Sequence, residues 1–172
     1  AVAAGDEPFG SVLVDADALT VLAHDPGPVR DRTAPTLLTP HAGEFARLTG
    51  ARPEPDRVAA VRALAADWHV HVLLKGRATL IARPDGHVFV NDAGGSWAST
   101  AGAGDVLSGL IGALMSAGMA PDLAAAAGAR AHALAANLAA HDEVGSAPVS
   151  ATAILSQVRA AVRILRAHMS ES

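Results

Sequence analysis

The chain has 172 residues, of which 51% are hydrophobic, and a formal net charge of −4. This length and apolar content suit one folded domain with a sizeable core and argue against disorder. The sequence has no basic cluster, which argues against a nucleic-acid partner, and no apolar run approaches the ~20 residues that span a bilayer. It has no cysteine and no signal-peptide pattern in residues 1–10, so we expect a cytoplasmic protein.

Three short apolar runs in the first half of the chain predict buried strands. They cover residues 11–14, 36–39 and 70–74, and each is followed by polar or glycine residues. Near-continuous apolar runs of this length are typical of parallel strands that are covered on both faces. Open α/β sheets bind ligands beyond the carboxyl ends of their strands, so the residues after each run are candidates for a site.

The middle of the chain predicts a crossover helix and a hairpin. Apolar residues recur at helical spacing over 56–67, between the second and third strands. Asp85 and Gly86 then separate two alternating runs at 79–82 and 87–90. An Asp-Gly pair in this position is a strong hairpin signal.

The last third of the chain predicts three helices, over 105–117, 121–140 and 150–167. Strands that alternate with helices indicate an α/β fold with a parallel sheet. Only three parallel strands and a hairpin precede these helices, whereas doubly wound domains usually have more. We therefore expect one partial domain over residues 1–172, with an N-terminal part missing.

A glycine-rich loop precedes the first of these helices. Gly102 and Gly104 flank Ala103, and Asp105 follows. Glycines allow backbone amides to converge, and a helix N-terminus adds unpaired N–H groups and a positive dipole end. The loop therefore suits a phosphate in transfer, with Asp105 as the base that takes a proton from a substrate hydroxyl. The alternative is a tight turn with an acid at a helix start, because short glycine motifs often match by chance.

The segment after the third strand is a second candidate. Lys75 has the charge to reach phosphate oxygens, Gly76 permits close backbone approach, and Thr79 has a hydroxyl to donate. Taken alone, this segment is more typical of a surface hairpin with a solvated lysine.

Acidic residues and a histidine follow the other two strands. Glu44 is a candidate to hold a metal-bound water or to cap a helix, and His41 is a candidate donor to a ligand. Asp15 and Asp17 point to one side if the chain is extended there. Paired carboxylates can organise Mg²⁺ through water, or they can cap the following turn.

These motifs, in this order, resemble the NAD(P)H-hydrate dehydratases, a branch of the ribokinase-like superfamily. The matching segments are residues 13–19, 38–45, 74–76 and 100–109. The resemblance covers about residues 12–140 and implies a ribokinase-like three-layer α/β/α fold with a mostly parallel central sheet.

The resemblance also implies a repair reaction. In this family the hydroxyl on the nicotinamide ring of hydrated NADH or NADPH is phosphorylated by ADP or ATP, with Mg²⁺ neutralising the nucleotide oxygens. Phosphate then leaves, and NAD(P)H is restored. Hydroxide is a poor leaving group and phosphate is a good one, so the phosphorylation makes the elimination possible.

The site residues follow by position from the resemblance. His41 and Asp105 match the family's contacts with the hydrated dinucleotide, and Glu44 takes the place of the glutamate in the superfamily's Asn-x-x-Glu motif. His41 replaces the asparagine of that motif, which favours a dehydratase over a sugar kinase. The residues that match the adenine-nucleotide contacts are Lys75, Gly76, Arg77, Ala78, Thr79 and Gly104.

Two other functions are compatible with the sequence. A ribokinase-like kinase for a sugar or vitamin precursor would use the same base and anion hole but release a stable phosphate ester. A nucleotide-binding module without turnover is the alternative from another class. Alanine-rich helices with few charges also suggest subunit contacts, so we expect a homo-oligomer.

Overall fold

A computed structural model describes residues 10–92 and 95–169 of the chain. Residues 1–9, most of the segment considered for a signal peptide, lie outside the described part. None of the described helices is both long and apolar enough to cross a membrane.

The described strands form one sheet in the order of the sequence. They are β1 (Val12–Val14), β2 (Thr36–Leu38), β3 (His71–Leu74), β4 (Ala78–Ala82) and β5 (Val88–Asp92). The first three are parallel, and β4 is antiparallel to both of its neighbours. Four of these strands therefore run in one direction, which confirms the predicted mostly parallel sheet and the hairpin.

Helices cover both faces of this sheet. They are α1 (Asp17–His24), α2 (Gly27–Arg30), α3 (Ala42–Thr49), α4 (Arg57–Trp68), α5 (Ala103–Ser116), α6 (Pro121–Ala140) and α7 (Ala151–Met169). Leu38 and Val72 belong to a buried cluster with α1 to α4. Their neighbours Leu37 and Leu73 face the other side and pack with α5 and α6. This alternation follows from the two-residue period of a strand, and it confirms the three-layer α/β/α fold.

The helical layer over the glycine loop is built from small residues. Gly128 of α6 lies so close to Ile111 of α5 that a Cβ at Gly128 would be 2.6 Å from Ile111 Cγ1. Helix α7 packs outside α6, where Ile154 and Ala161 join its buried alanines. Alanine and glycine allow the backbones of α5, α6 and α7 to lie close together, and this packing supports the start of α5 beside the sheet.

The predicted strand ends meet at one edge, as the parallel arrangement requires. Asp15 follows β1, His41 lies three residues after β2, and Lys75 follows β3. One expectation at this edge is wrong: Asp15 and Asp17 do not share an extended segment. Ala16 has a φ of 52°, and Asp17 is already the first residue of α1.

Candidate functional site

A cavity of about 440 Å³ opens beyond the carboxyl ends of the strands, between the β3–β4 turn, the start of α5 and the side of α6. Most of the residues predicted to bind an adenine nucleotide line it. From the predicted set, the lining residues are His41, Lys75, Gly76, Arg77, Thr79, Ala103 and Gly104. The other predicted residues surround the cavity without lining it, and they are Asp15, Glu44, Ala78, Gly102 and Asp105.

The glycine loop forms the N-terminus of α5, two residues earlier than predicted. Gly102 is the N-cap, with a φ of 81° that favours glycine. The Ala103 amide already donates to the Thr100 carbonyl at 3.2 Å. At the start of a helix, the next amides have no intrahelical acceptor. The anion hole predicted over the loop therefore centres on the amides of Gly104 and Asp105.

Asp105 is the third residue of α5, and its side chain is exposed. It directly follows Gly104, which lines the cavity, but is not itself a lining residue. Its role as a base stays a prediction.

His41 and Glu44 form a capping box at the start of α3. Helix capping was one of the two roles predicted for Glu44, the other being to hold a metal-bound water. Glu44 Oε2 accepts from the His41 amide at 2.7 Å, and His41 Nδ1 accepts from the amides of Gly43 and Glu44. Because Nδ1 is an acceptor, the neutral ring carries its proton on Nε2. His41 lines the cavity, its side chain is 53% exposed, and its Nε2 lies 3.5 Å from Glu44 Oε1.

Lys75 lies between two carboxylates. Its Nζ is 2.8 Å from Asp15 Oδ1 and 3.6 Å from Glu44 Oε2. Burial raises the pKa of the Asp15 carboxyl, but hydrogen bonds from Lys75 and Ser108 and the Lys75 charge outweigh it and hold the pKa below its usual value. The lysine is therefore a fixed cation of the site, rather than the solvated surface residue that its segment alone allows.

Arg57, at the start of α4, clamps the β3–β4 turn. Its guanidinium donates to the Ala78 carbonyl at 2.9 Å and to the Lys75 carbonyl at 3.3 Å. Gly76 makes this possible, because a Cβ there would be 2.7 Å from Arg57 Nη2. Sequence reasoning missed Arg57, since the contact joins residues 18 and 21 positions apart and has no local pattern.

His132 of α6 also lines the cavity, and sequence reasoning did not single it out. It is 6% exposed and hydrogen-bonds the backbone of Ala103. Burial lowers its pKa, although that hydrogen bond opposes the shift. Within the described part of the chain, its Nε2 is buried and lacks a hydrogen-bond partner. The interior position in a helix gave no sequence signal for this residue.

The carboxylates of the site differ in how well they fit a magnesium ion. Within residues 10–92 and 95–169, no group of three or more metal-ligating side chains is present. Asp15 uses both oxygens for Lys75 and Ser108, whereas the contact of Glu44 Oε1 within the described residues is with His41 Nε2 at 3.5 Å. Mg²⁺ is usually held by phosphates, water and one or two carboxylates. Glu44 fits that role through water, and the prediction for Asp15 stays a prediction.

The fold defines an α/β protein of the ribokinase-like class. A ribokinase-like superfamily protein from Enterococcus faecalis is similar, with a TM-score of 0.66 and 25% identity over 88% of this chain and 52% of that one. A Bacillus subtilis ADP/ATP-dependent NAD(P)H-hydrate dehydratase, co-crystallised with ATP and Mg²⁺, has a TM-score of 0.75 and 28% identity. That match covers 89% of this chain and 54% of the other.

Sequence comparison gives the family. The family model described as NAD(P)H-hydrate dehydratase matches residues 1–158, so the chain belongs to this family. A bifunctional NAD(P)H-hydrate repair enzyme of Mycobacterium leprae is 56% identical, over 90% of this chain and 33% of that protein. An ADP-dependent (S)-NAD(P)H-hydrate dehydratase of Neisseria meningitidis is 40% identical, over 94% and 55%. The chain thus spans about a third to a half of the length of these relatives.

Proposed function

We propose that this chain carries the nucleotide side of an NAD(P)H-hydrate dehydratase site, in which ADP or ATP drives dehydration of hydrated NADH or NADPH. The observation that carries the proposal is the cavity that brings Lys75, Gly76 and Thr79 together with Gly104 at the N-terminus of α5. These residues lie up to 29 positions apart in sequence, and the family resemblance implies that each contacts an adenine nucleotide.

The residues of the site suit transfer of a phosphoryl group to a ring hydroxyl. The amides of Gly104 and Asp105 and the ammonium of Lys75 stabilise the charge on the transferred group. The Asp105 carboxylate takes the proton of the substrate hydroxyl as the O–P bond forms, so ADP becomes AMP or ATP becomes ADP. The C–O bond then breaks, inorganic phosphate leaves with the electron pair, and a ring proton is lost to restore the double bond.

A magnesium ion, where bound, neutralises the oxygens of the nucleotide phosphates. Glu44 is our candidate to hold it through water, and the contact of Glu44 Oε1 with His41 Nε2, long at 3.5 Å, supports this choice. His41 binds the substrate in this proposal, with its Nε2–H as the donor to the hydrated dinucleotide.

The proposal is tested by supplying the protein with hydrated NADH and either ADP or ATP and following recovery of the nicotinamide absorbance. We expect recovery, with one AMP or ADP formed per NADH. Asp105→Asn should retain nucleotide binding by calorimetry and lose at least about a hundredfold in rate, the scale of general-base catalysis.

The other candidate functions give different results in the same assay. Phosphorylation of a small alcohol without recovery of NADH would support the kinase and overturn the dehydratase. Nucleotide binding without any turnover, in the wild-type protein as in Asp105→Asn, would support the non-catalytic module.

Three further predictions belong to this proposal. We infer that residues 1–172 act as one partial ribokinase-like domain, that the protein is cytoplasmic, and that it assembles as a homo-oligomer. Light scattering coupled to size exclusion measures the assembly, and a monomer would contradict it.

A further inference from the structure

Three side chains from separate parts of the fold form one hydrogen-bonded line beside the glycine loop. Ser108 Oγ, in the second turn of α5, donates to Asp15 Oδ2 at 2.6 Å. Lys75 Nζ, just beyond β3, donates to Asp15 Oδ1 at 2.8 Å. Both oxygens of the Asp15 carboxylate are therefore engaged, and its orientation is fixed between a strand end and a helix.

The line ends at the N-terminal turn of α5. A Cβ atom built on Gly104 would lie 3.7 Å from Lys75 Nζ, so the ammonium group lies against the first turn of the helix. The side chains of Lys75 and Asp15 are only 20% and 12% exposed. A lysine ammonium is a point charge on a flexible four-carbon stem, so anchors of this kind are needed to give it one position.

Asp15 is the nearer of two anchors for this lysine. Glu44 Oε2 is 3.6 Å from Nζ and already accepts from the His41 amide at 2.7 Å. Asp15 Oδ1 accepts from Lys75 Nζ, and its other oxygen accepts from Ser108 Oγ. The Ala16 backbone also hydrogen-bonds this carboxylate. Neither Asp15 nor Ser108 lines the cavity, whereas Lys75 does. An effect of these two residues on a ligand in the cavity would therefore be indirect, and Lys75 is the lining residue that Asp15 contacts.

We propose that Asp15 and Ser108 are positioning residues that hold Lys75 Nζ where it meets the terminal phosphate of a bound nucleoside diphosphate. The inference rests on the proposed function, because it takes the cavity beside Gly104 as the nucleotide site. It gives Asp15 a different role from the cation ligand predicted by the sequence. It also gives Ser108, inside the glycine-loop motif, a role that the sequence alone did not assign.

The test compares ADP with AMP, which lacks the phosphate that Lys75 is positioned to meet. In Ser108→Ala we expect the ADP affinity to fall about tenfold and the AMP affinity by less than about twofold, by calorimetry. Ser108→Thr keeps a hydroxyl donor and should return the ADP affinity to within about twofold of wild type. Ser116→Ala, at the exposed end of the same helix, is the matched control and should leave both affinities unchanged.

A second measurement examines Lys75 without any nucleotide. We expect acetylation of the Lys75 amine by a succinimidyl ester, followed by peptide mass spectrometry, to be several-fold faster in Ser108→Ala and Asp15→Asn than in wild type. Lys75 is the single lysine of the chain, so the readout is unambiguous. Ser116→Ala should label at the wild-type rate.

The outcomes separate this inference from the proposed function. Equal loss of ADP and AMP affinity in Ser108→Ala, with unchanged labelling, would mean a general structural role and overturn the inference. A wild-type protein that binds neither nucleotide would overturn the proposed function. In that case the labelling rates alone decide whether Asp15 and Ser108 hold the lysine.

Discussion

The imidazole of His132 hydrogen-bonds the backbone of Ala103, which joins the middle of α6 to the first residue of α5. The contact connects the wall of the cavity with the helix start that is predicted to form the anion hole. Because His132 is 6% exposed and its pKa is lowered by burial, this link is made by a neutral ring. The position of the glycine loop is thus set partly by a residue 29 positions away.

The buried His132 should make stability depend on pH. Its pKa in the folded protein lies below the value of about 6.5 in the unfolded chain, so below that pH the unfolded state binds more protons. We expect the free energy of unfolding to fall as the pH drops from about 7.5 to about 5.5, with a slope of up to ~1.4 kcal/mol per unit from one group. Urea unfolding at several pH values measures this.

The control for this prediction is His132→Gln, which keeps a polar side chain that does not titrate. Its stability should vary less with pH than that of wild type. His71, whose pKa is also lowered by burial, contributes in the same direction, so His71→Gln should remove a separate part of the slope. An unchanged slope in His132→Gln would contradict the prediction.

The contact between α5 and α6 at Gly128 should tolerate no side chain. Gly128→Ala places a Cβ 2.6 Å from Ile111 Cγ1, and Ile111 is fully buried. We expect a loss of about 1–3 kcal/mol from overpacking, despite the higher helix propensity of alanine. Gly112→Ala meets no atom within 4 Å and should instead stabilise by up to ~1 kcal/mol. Thermal unfolding of the two variants gives the comparison, and a stabilised Gly128→Ala would be inconsistent with this packing.

Arg57 should support nucleotide binding without touching the ligand. Arg57→Ala removes the donors to the carbonyls of Lys75 and Ala78, and we expect weaker ADP binding and a stability loss of about 1.5–3 kcal/mol. Arg62→Ala is a matched control on the same helix, because Arg62 Nε also donates to a backbone carbonyl, that of Gly86 in the turn between β4 and β5. Calorimetry should show reduced ADP affinity only for Arg57→Ala, and equal affinities would count against the clamp.

Gly102 should contribute both to stability, through its left-handed backbone conformation, and to ADP binding, through its place in the glycine loop. Gly102→Ala strains a φ of 81° and brings a Cβ to 3.2 Å from that of Ala151, while Gly50→Ala strains a φ of 77° in open space. We expect each to lose about 1–2 kcal/mol in stability from the left-handed backbone. Only Gly102→Ala should also weaken ADP binding, because only Gly102 caps the helix of the anion hole. Equal ADP affinity in the two variants would argue against that hole.

Much of the sheet was predictable because its signals are local. The apolar runs and the Asp85-Gly86 pair predicted the strands and the hairpin to within one or two residues. The sequence predicted the start of α5 two residues too late. The helix begins after Gly102 without a side-chain cap, and the Ala103 amide donates to the Thr100 carbonyl instead, so no capping residue marks the start in the sequence. The extended geometry expected around Asp15 failed because Ala16 turns directly into α1.

The sequence by itself determined which residues follow each strand, and therefore that Lys75, His41 and the glycine loop would meet at one sheet edge. Only the tertiary structure decided what those residues touch. The partners of Asp15 lie 60 and 93 positions away, and the clamp of Arg57 and the link from His132 also cross between layers. Periodicity reports the direction of a side chain relative to its own strand or helix, whereas these contacts depend on how separate layers pack together.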